Sequence, residues 1–218
     1  MENIFNLKIS LGLIPATEAR VSAKCKVAYD ALTESLSEDE LLHIDETSNN
    51  YRGKMGWSWI FANPVTTVLK WMASRGKKVL QEVIPEYHGY VISDRYNAYN
   101  HFDSNNRQVC WAHLLRNFEK FAGSSFPEVR QFGKLLVSYT GRLFAIYRGY
   151  KKGIIEREYF IRHAKKIRRR LYKYLHHISV QSNSEYIRKQ AYNILKYEDM
   201  MWCFLQDIEN IPLTNNHA

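Results

Sequence analysis

The chain has 218 residues, 45% of them hydrophobic and 14% aromatic, with a formal net charge of +9 and a pI near 9.4. That size rules out a small scaffold in need of covalent staples, and no apolar run reaches the roughly 18 residues of a membrane span. The reading is a soluble protein with one sizeable core, or a core carrying a large insertion.

The N-terminus, M-E-N-I-F-N-L-K, has no basic region followed by an apolar run, so nothing in it argues for secretion. Cys25, Cys110 and Cys203 form no C-x-x-C pair and suit free thiols of a cytoplasmic core. Between Lys151 and Lys173 ten Lys or Arg face only Glu156 and Glu158, which accounts for nearly all of the positive excess. Solvated helix faces usually mix the two signs, so this segment points to phosphate contact, with a plain solvated face as the alternative.

In chain order, residues 15–37 place Val21, Cys25, Ala28, Leu32 and Leu36 at helical spacing, and Ser37 to Glu40 break the pattern. L-L-H-I-D from Leu41, G-W-S-W-I-F-A and T-T-V-L-K-W then read as three sequential strands of an antiparallel meander. Residues 74–84 predict a short helix, ended by Pro85 to Gly89. Y-V-I-S-D at 90–94 is a short apolar run closing on an aspartate, the pattern of a buried parallel strand that opens into a site. A short helix or turn over 95–102, a strand over 107–113 and a helix from Leu114 complete a mixed α/β sheet.

Everything beyond Ser124 reads as helix. Residues 128–150 carry Val129, Phe132, Leu136, Tyr139, Leu143, Ile146 and Tyr150 at helical steps. Residues 156–178 do the same with Phe160, Ala164, Ile167, Leu171, Leu175 and Ile178. Ser184 is the expected N-cap of a third helix that runs through Ile187, Ala191, Leu195, Met201, Phe204, Leu205 and Ile208. The aromatic stripes fall on the buried period and are assigned to the core.

Asp45 and Asp94 each stand at the end of a predicted core strand. If those strands are neighbours, two carboxylates meet, and a divalent cation such as Mg²⁺ or Mn²⁺ is the natural relief for their repulsion. Two unrelated strand-end aspartates capping turns are the alternative. His43 lies two residues before Asp45 and is a packed core histidine or a ligand. Cys110 and His113 have a zinc-like spacing but no second pair, and read as architectural. Arg95 and Arg116 flank these segments and suit phosphates or surface ion pairs. Trp57 and Trp59 share one side of their strand and read as packing residues, with base stacking at a distorted DNA end as the alternative.

D-E-T at 45–47, G-W-S-W at 56–59, S-D-R-Y-N-A-Y at 93–99, C-W-A-H-L-L-R at 110–116 and P-L-T-N-N-H-A at 212–218 occur in this order. Together they resemble the catalytic domain of insertion-sequence-66 family transposases, over residues 41–123 and the last seven. The resemblance implies an RNase H-like mixed sheet with a large all-helical insertion, and an Asp-Asp-Glu triad to which Asp45 and Asp94 contribute the two aspartates. It implies Mg²⁺ or Mn²⁺ as cofactor, transposon-end and target DNA as partners, homo-oligomers, a nucleoid-associated cytoplasmic location and no membrane. The implied organisation is a lead-in helix (1–40), an RNase H-like core (41–123), a helical insertion (124–210) and the start of a final core segment (211–218).

In that family the Asn-Asn pair leads into a helix carrying the third acid, which here is expected directly after Ala218. Asp207 and Glu209 lie upstream of the pair and do not match it. The expectation is a chain truncated at both ends, with little catalysis of its own, whose DNA contacts come from Arg95, Arg116, Lys165, Lys166, Arg168, Arg169, Arg170 and Lys173. The alternative is a non-catalytic DNA-binding remnant or regulator using the basic helix 151–173; a nuclease on RNA–DNA hybrids is the weaker third reading.

Overall fold

The computed structural model describes residues 10–51 and 53–215. The N-terminal M-E-N-I-F-N-L-K and the last three residues of P-L-T-N-N-H-A lie outside them. The first described helix, α1 (Leu13–Ser35), forms as its spacing predicts, yet none of its residues is buried. Cys25, expected in the core, is therefore exposed, whereas Cys110 and Cys203 are buried. The reason is that α1 meets the sheet only near its end, where the Tyr29 hydroxyl donates to the Leu69 carbonyl at 2.9 Å and Leu36 enters the core.

Strands β1 (Leu41–Tyr51), β2 (Lys54–Ala62) and β3 (Thr67–Met72) make the expected antiparallel meander. After helix α2 (Lys77–Val83) the chain enters β4 (Tyr90–Ser93), which pairs in parallel with β1. β5 (Arg107–Val109) pairs in parallel with β4, so the sheet order is β3-β2-β1-β4-β5. The expected α/β class with a mixed sheet holds.

The sheet is buried on both faces around β1 and β4, which explains their continuous apolar runs. On one face Leu42, Ile44, Trp59, Phe61 and Val91 pack against Val79, Leu80 and Val83 of α2. On the other, Ile92 and Val109 join a core built by α3 (Trp111–Ala122), α4 (Pro127–Lys151), α5 (Arg157–Gln181), α6 (Glu185–Leu195) and α7 (Glu198–Met201). The predicted stripes are the ones buried: Val129, Leu136 and Leu143 on α4, and all six named positions on α5.

Two expectations change, and one is met between them. The strand predicted over 107–113 stops at Val109, because Trp111 is already helical: its backbone N–H donates to the Leu213 carbonyl and its indole N–H to the Met201 carbonyl, at 2.9 and 2.8 Å. A 3₁₀ turn (Asn97–His101) stands where a helix or turn was expected. The third helix of the block is capped by the Ser184 hydroxyl as predicted, but it ends at Leu195 and resumes as α7 and a 3₁₀ turn. That break turns the Met201 carbonyl towards Gln108 and Trp111, both of which donate to it.

α3 and α4 cross at Gly133, where a Cβ would lie 2.2 Å from the Ala122 nitrogen and 2.4 Å from the Phe121 carbonyl carbon. Backbone cannot yield as a flexible side chain can. Gly133→Ala is therefore expected to lower stability by about 1–3 kcal/mol, as overpacking does. Urea denaturation followed by tryptophan fluorescence checks it.

Candidate active site

In the parallel ladder His43 pairs with Ile92. Carried two residues on, one residue past the end of β4, that register brings Asp94 level with Asp45, and the Asp94 charge is felt by the Asp45 carboxyl. Because Leu42 and Ile44 point into the α2 core, His43 and Asp45 point to the opposite face, towards α3. The register thus makes neighbours of two aspartates that are 49 residues apart in the chain.

Each carboxylate is oriented by the backbone just beyond it. Asp45 Oδ1 accepts from the Glu46 N–H at 2.9 Å, and Asp94 Oδ1 accepts from the Tyr96 N–H at 2.7 Å. Neither aspartate is ion-paired to Lys or Arg among the described residues, and the second oxygen of each accepts no hydrogen bond there. Burial pushes the Asp45 carboxyl above its ordinary range; the Asp94 charge adds to this, while the Glu46 N–H, His113 and Arg116 oppose it. Paired hard oxygen donors of this kind suit Mg²⁺ or Mn²⁺, which take one or two protein carboxylates and complete their shell with water and phosphate. No three His, Cys, Asp or Glu among the described residues group as a ligand set.

Glu46 would be the obvious third acid by proximity, but the strand turns it to the other face. Its carboxylate is buried, accepts from Arg75 Nε at 2.7 Å and from the Tyr99 hydroxyl, and is committed to them. Sequence reasoning missed this pairing; the adjacency of D-E in the D-E-T motif was its only trace.

The S-D-R-Y-N-A-Y motif is mostly scaffold. Ala98 and Tyr99 are buried, and Asn100 beyond them accepts from Arg107 Nη1 at 2.8 Å and from the Tyr197 hydroxyl at 3.2 Å. Arg107, fully buried and not foreseen, donates Nη2 to the Asp94 carbonyl at 2.8 Å and Nε to Ser93 Oγ at 3.3 Å. Burial, against the pull of neighbouring groups, holds its guanidinium down to about 10. It fixes the backbone at the end of β4. Arg95 is half-buried and reaches the Asn193 carbonyl of α6 at 3.4 Å, away from the surface position expected of a phosphate contact.

Cys110 caps α3, and His113 lies on its first turn. Burial raises the Cys110 thiol, but hydrogen bonds with His113 and from the Asn215 N–H outweigh it and lower the net value. His113 is raised, first by Cys110, with burial opposing. Asn215 Nδ2 donates to the Ile44 carbonyl at 3.1 Å, next to Asp45. The first Asn of the Asn-Asn pair is thereby tied to both the β1 site strand and the α3 cap. His43 is buried within β1. Arg116 is exposed, and its charge acts on Asp45 and His113.

The basic segment on α5 divides. Lys165, Lys166, Arg169, Arg170 and Lys173 are exposed and carry no salt bridge among the described residues. Arg168 instead binds Glu198 at 2.7 Å and Asp199 at 2.8 Å, bracing α5 against α7. The model of the family described as Transposase IS66 family matches residues 1–218. A search of the curated proteins found no match.

The burial of Asp45 has a consequence for stability. A carboxyl raised on folding penalises the native state once it ionises, and the penalty is absent where both folded and unfolded forms are protonated. In metal-free buffer Asp45→Asn is therefore expected to raise the melting temperature at pH 7, and the difference should shrink to nothing as pH falls below the ordinary carboxylate range. Calorimetric melts from pH 3 to pH 7 check the sign.

Proposed function

Because the chain belongs to the Transposase IS66 family, we propose that Asp45 and Asp94 are the two strand-borne carboxylates of an RNase H-like, Asp-Asp-Glu transposase site that cleaves DNA at transposon ends and joins it to target. The observation that supports this reading is the parallel register of β1 and β4, whose continuation brings the two acids level, each with one unclaimed oxygen. A divalent ion bound there would supply charge neutralisation at the scissile phosphate and activation of the attacking hydroxyl.

The chain's own groups hold that arrangement. Arg107 pins the Asp94 carbonyl, Asn215 pins the strand before Asp45, and Arg116 brings positive charge to the α3 side of the pair, beside His113. On α5, Lys165, Lys166, Arg169, Arg170 and Lys173 form the proposed non-specific DNA grip, and Arg168 serves as a brace instead. A grip of this kind also supports the second reading, a DNA-binding regulator that does no chemistry.

Two measurements test the proposal. Manganese binding followed by electron paramagnetic resonance should show a bound ion that Asp45→Asn or Asp94→Asn removes; both variants binding as wild type would sink the site. Mg²⁺-dependent nicking of duplex DNA that needs Asp45 supports the transposase, whereas salt-sensitive binding without products supports the regulator. Replacing Lys165, Lys166, Arg169 and Lys173 together by Gln is expected to flatten the plot of log affinity against log salt by about 3–4, near 0.9 per lost phosphate contact. Fluorescence anisotropy over a salt series reads it.

A further inference from the structure

Between Thr47 and Gln81 the chain carries Arg52, Lys54, Lys70, Arg75, Lys77 and Lys78 and not one Asp or Glu. This acid-free stretch runs straight out of the site strand and is separate from the basic face of α5. At its centre, in the link between β3 and α2, Arg75 has an unusual setting. Its guanidinium carbon lies 3.9 Å from the ring centroid of Tyr96 and 4.7 Å from that of Trp57. Its Nε is spent on the buried Glu46 carboxylate. Nη1 and Nη2 donate to no described residue, and the side chain is 33% exposed.

An arginine used only to neutralise Glu46 would be expected to turn its two-pronged end onto the carboxylate, which is the stronger geometry. Here the single Nε bond and the two rings fix the plane and leave the fork facing outward. Much of the side-chain entropy that a flexible cation loses on gripping a phosphate has already been lost in folding. Lys77 and Lys78, exposed and without an ion pair among the described residues, flank it. The rings also connect it to the site, since Tyr96 is the residue whose N–H holds Asp94.

We propose that Arg75 is a preset phosphate clamp: held between Trp57 and Tyr96 and anchored on Glu46, it presents Nη1 and Nη2 to a backbone phosphate of the DNA strand that enters the Asp45–Asp94 site. This rests on the DNA-processing reading above. It adds a second point of contact, on the opposite side of the sheet end from α5, so that the strand is gripped on both sides of the carboxylates. Lys77, two residues on and exposed, adds positive charge beside it.

The test measures binding of the full 218-residue chain to a fluorescent 40-base-pair duplex of arbitrary sequence across a salt series, for wild type, Arg75→Lys, Arg75→Gln and the double variant Glu46→Gln with Arg75→Gln. The double variant removes the buried acid along with its partner, so it keeps the fold testable if the single change leaves Glu46 unpaired and unfolds the chain. The expected result is an affinity loss of about tenfold near 0.1 M salt and a slope reduced by about one in the double variant. Arg75→Lys is expected to keep the thermal midpoint but to recover only part of the affinity. Wild-type affinity and slope in the folded double variant would make Arg75 a brace for Glu46 and overturn the clamp. Absence of binding by the wild-type chain would instead overturn the DNA-processing reading on which the clamp depends.

Discussion

Two like charges at adjacent positions on neighbouring parallel strands are the constraint around which this molecule is arranged. At the separation of paired strands, carboxylates repel unless a cation lies between them, and partial burial of Asp45 makes the repulsion harder to screen. The fold does not resolve the conflict internally, since no Lys or Arg among the described residues is ion-paired to either acid. It spends cations next to the pair: buried Arg107 holds the carbonyl of Asp94, and half-buried Arg75 holds the neighbouring Glu46. Charge is thus brought near the acids while one oxygen of each stays available.

The same constraint explains why the short motifs are so dense in aromatic and amide groups. Within S-D-R-Y-N-A-Y only Asp94 stands in the pair, and Tyr96 and Tyr99 connect it to Arg75 and Glu46 on the other face of the sheet. In G-W-S-W, Gly56 leaves room for the Trp71 indole, whose atoms would lie 2.3 Å from an added Cβ, and Trp59 donates to the Ser74 carbonyl ahead of Arg75. Cys110 and Trp111 of C-W-A-H receive the returning chain at 213–215. The motif residues act mainly on backbone placement, which a carboxylate pair needs to within a fraction of an ångström to bind an ion.

Positive charge is distributed to match. The helical block carries an exposed row of Lys and Arg on α5, while residues 47–81 carry a second group with no acid among them, of which Lys70 and Arg75 meet Glu82 and Glu46 from either side. Arg168, at the centre of the basic run, departs from the row because Glu198 and Asp199 of α7 meet it. A run of cations in sequence therefore overstates the cations available on the surface, since helix–helix contacts recruit some of them.

The sequence by itself determined most element types, the core stripes of α4 and α5 and the strand-end positions of Asp45 and Asp94, because apolar periodicity and strand-end carboxylates are local patterns that burial enforces. It also carried the motifs that indicate the family. Only the tertiary structure decided that Glu46 turns away to Arg75 and Tyr99, that Arg107 is buried behind Asp94, that Arg95 leans into α6 and that Cys25 stays outside the core. These are matters of strand parity, register and which helix lies opposite. Such contacts join residues far apart in the chain, so no local pattern records them.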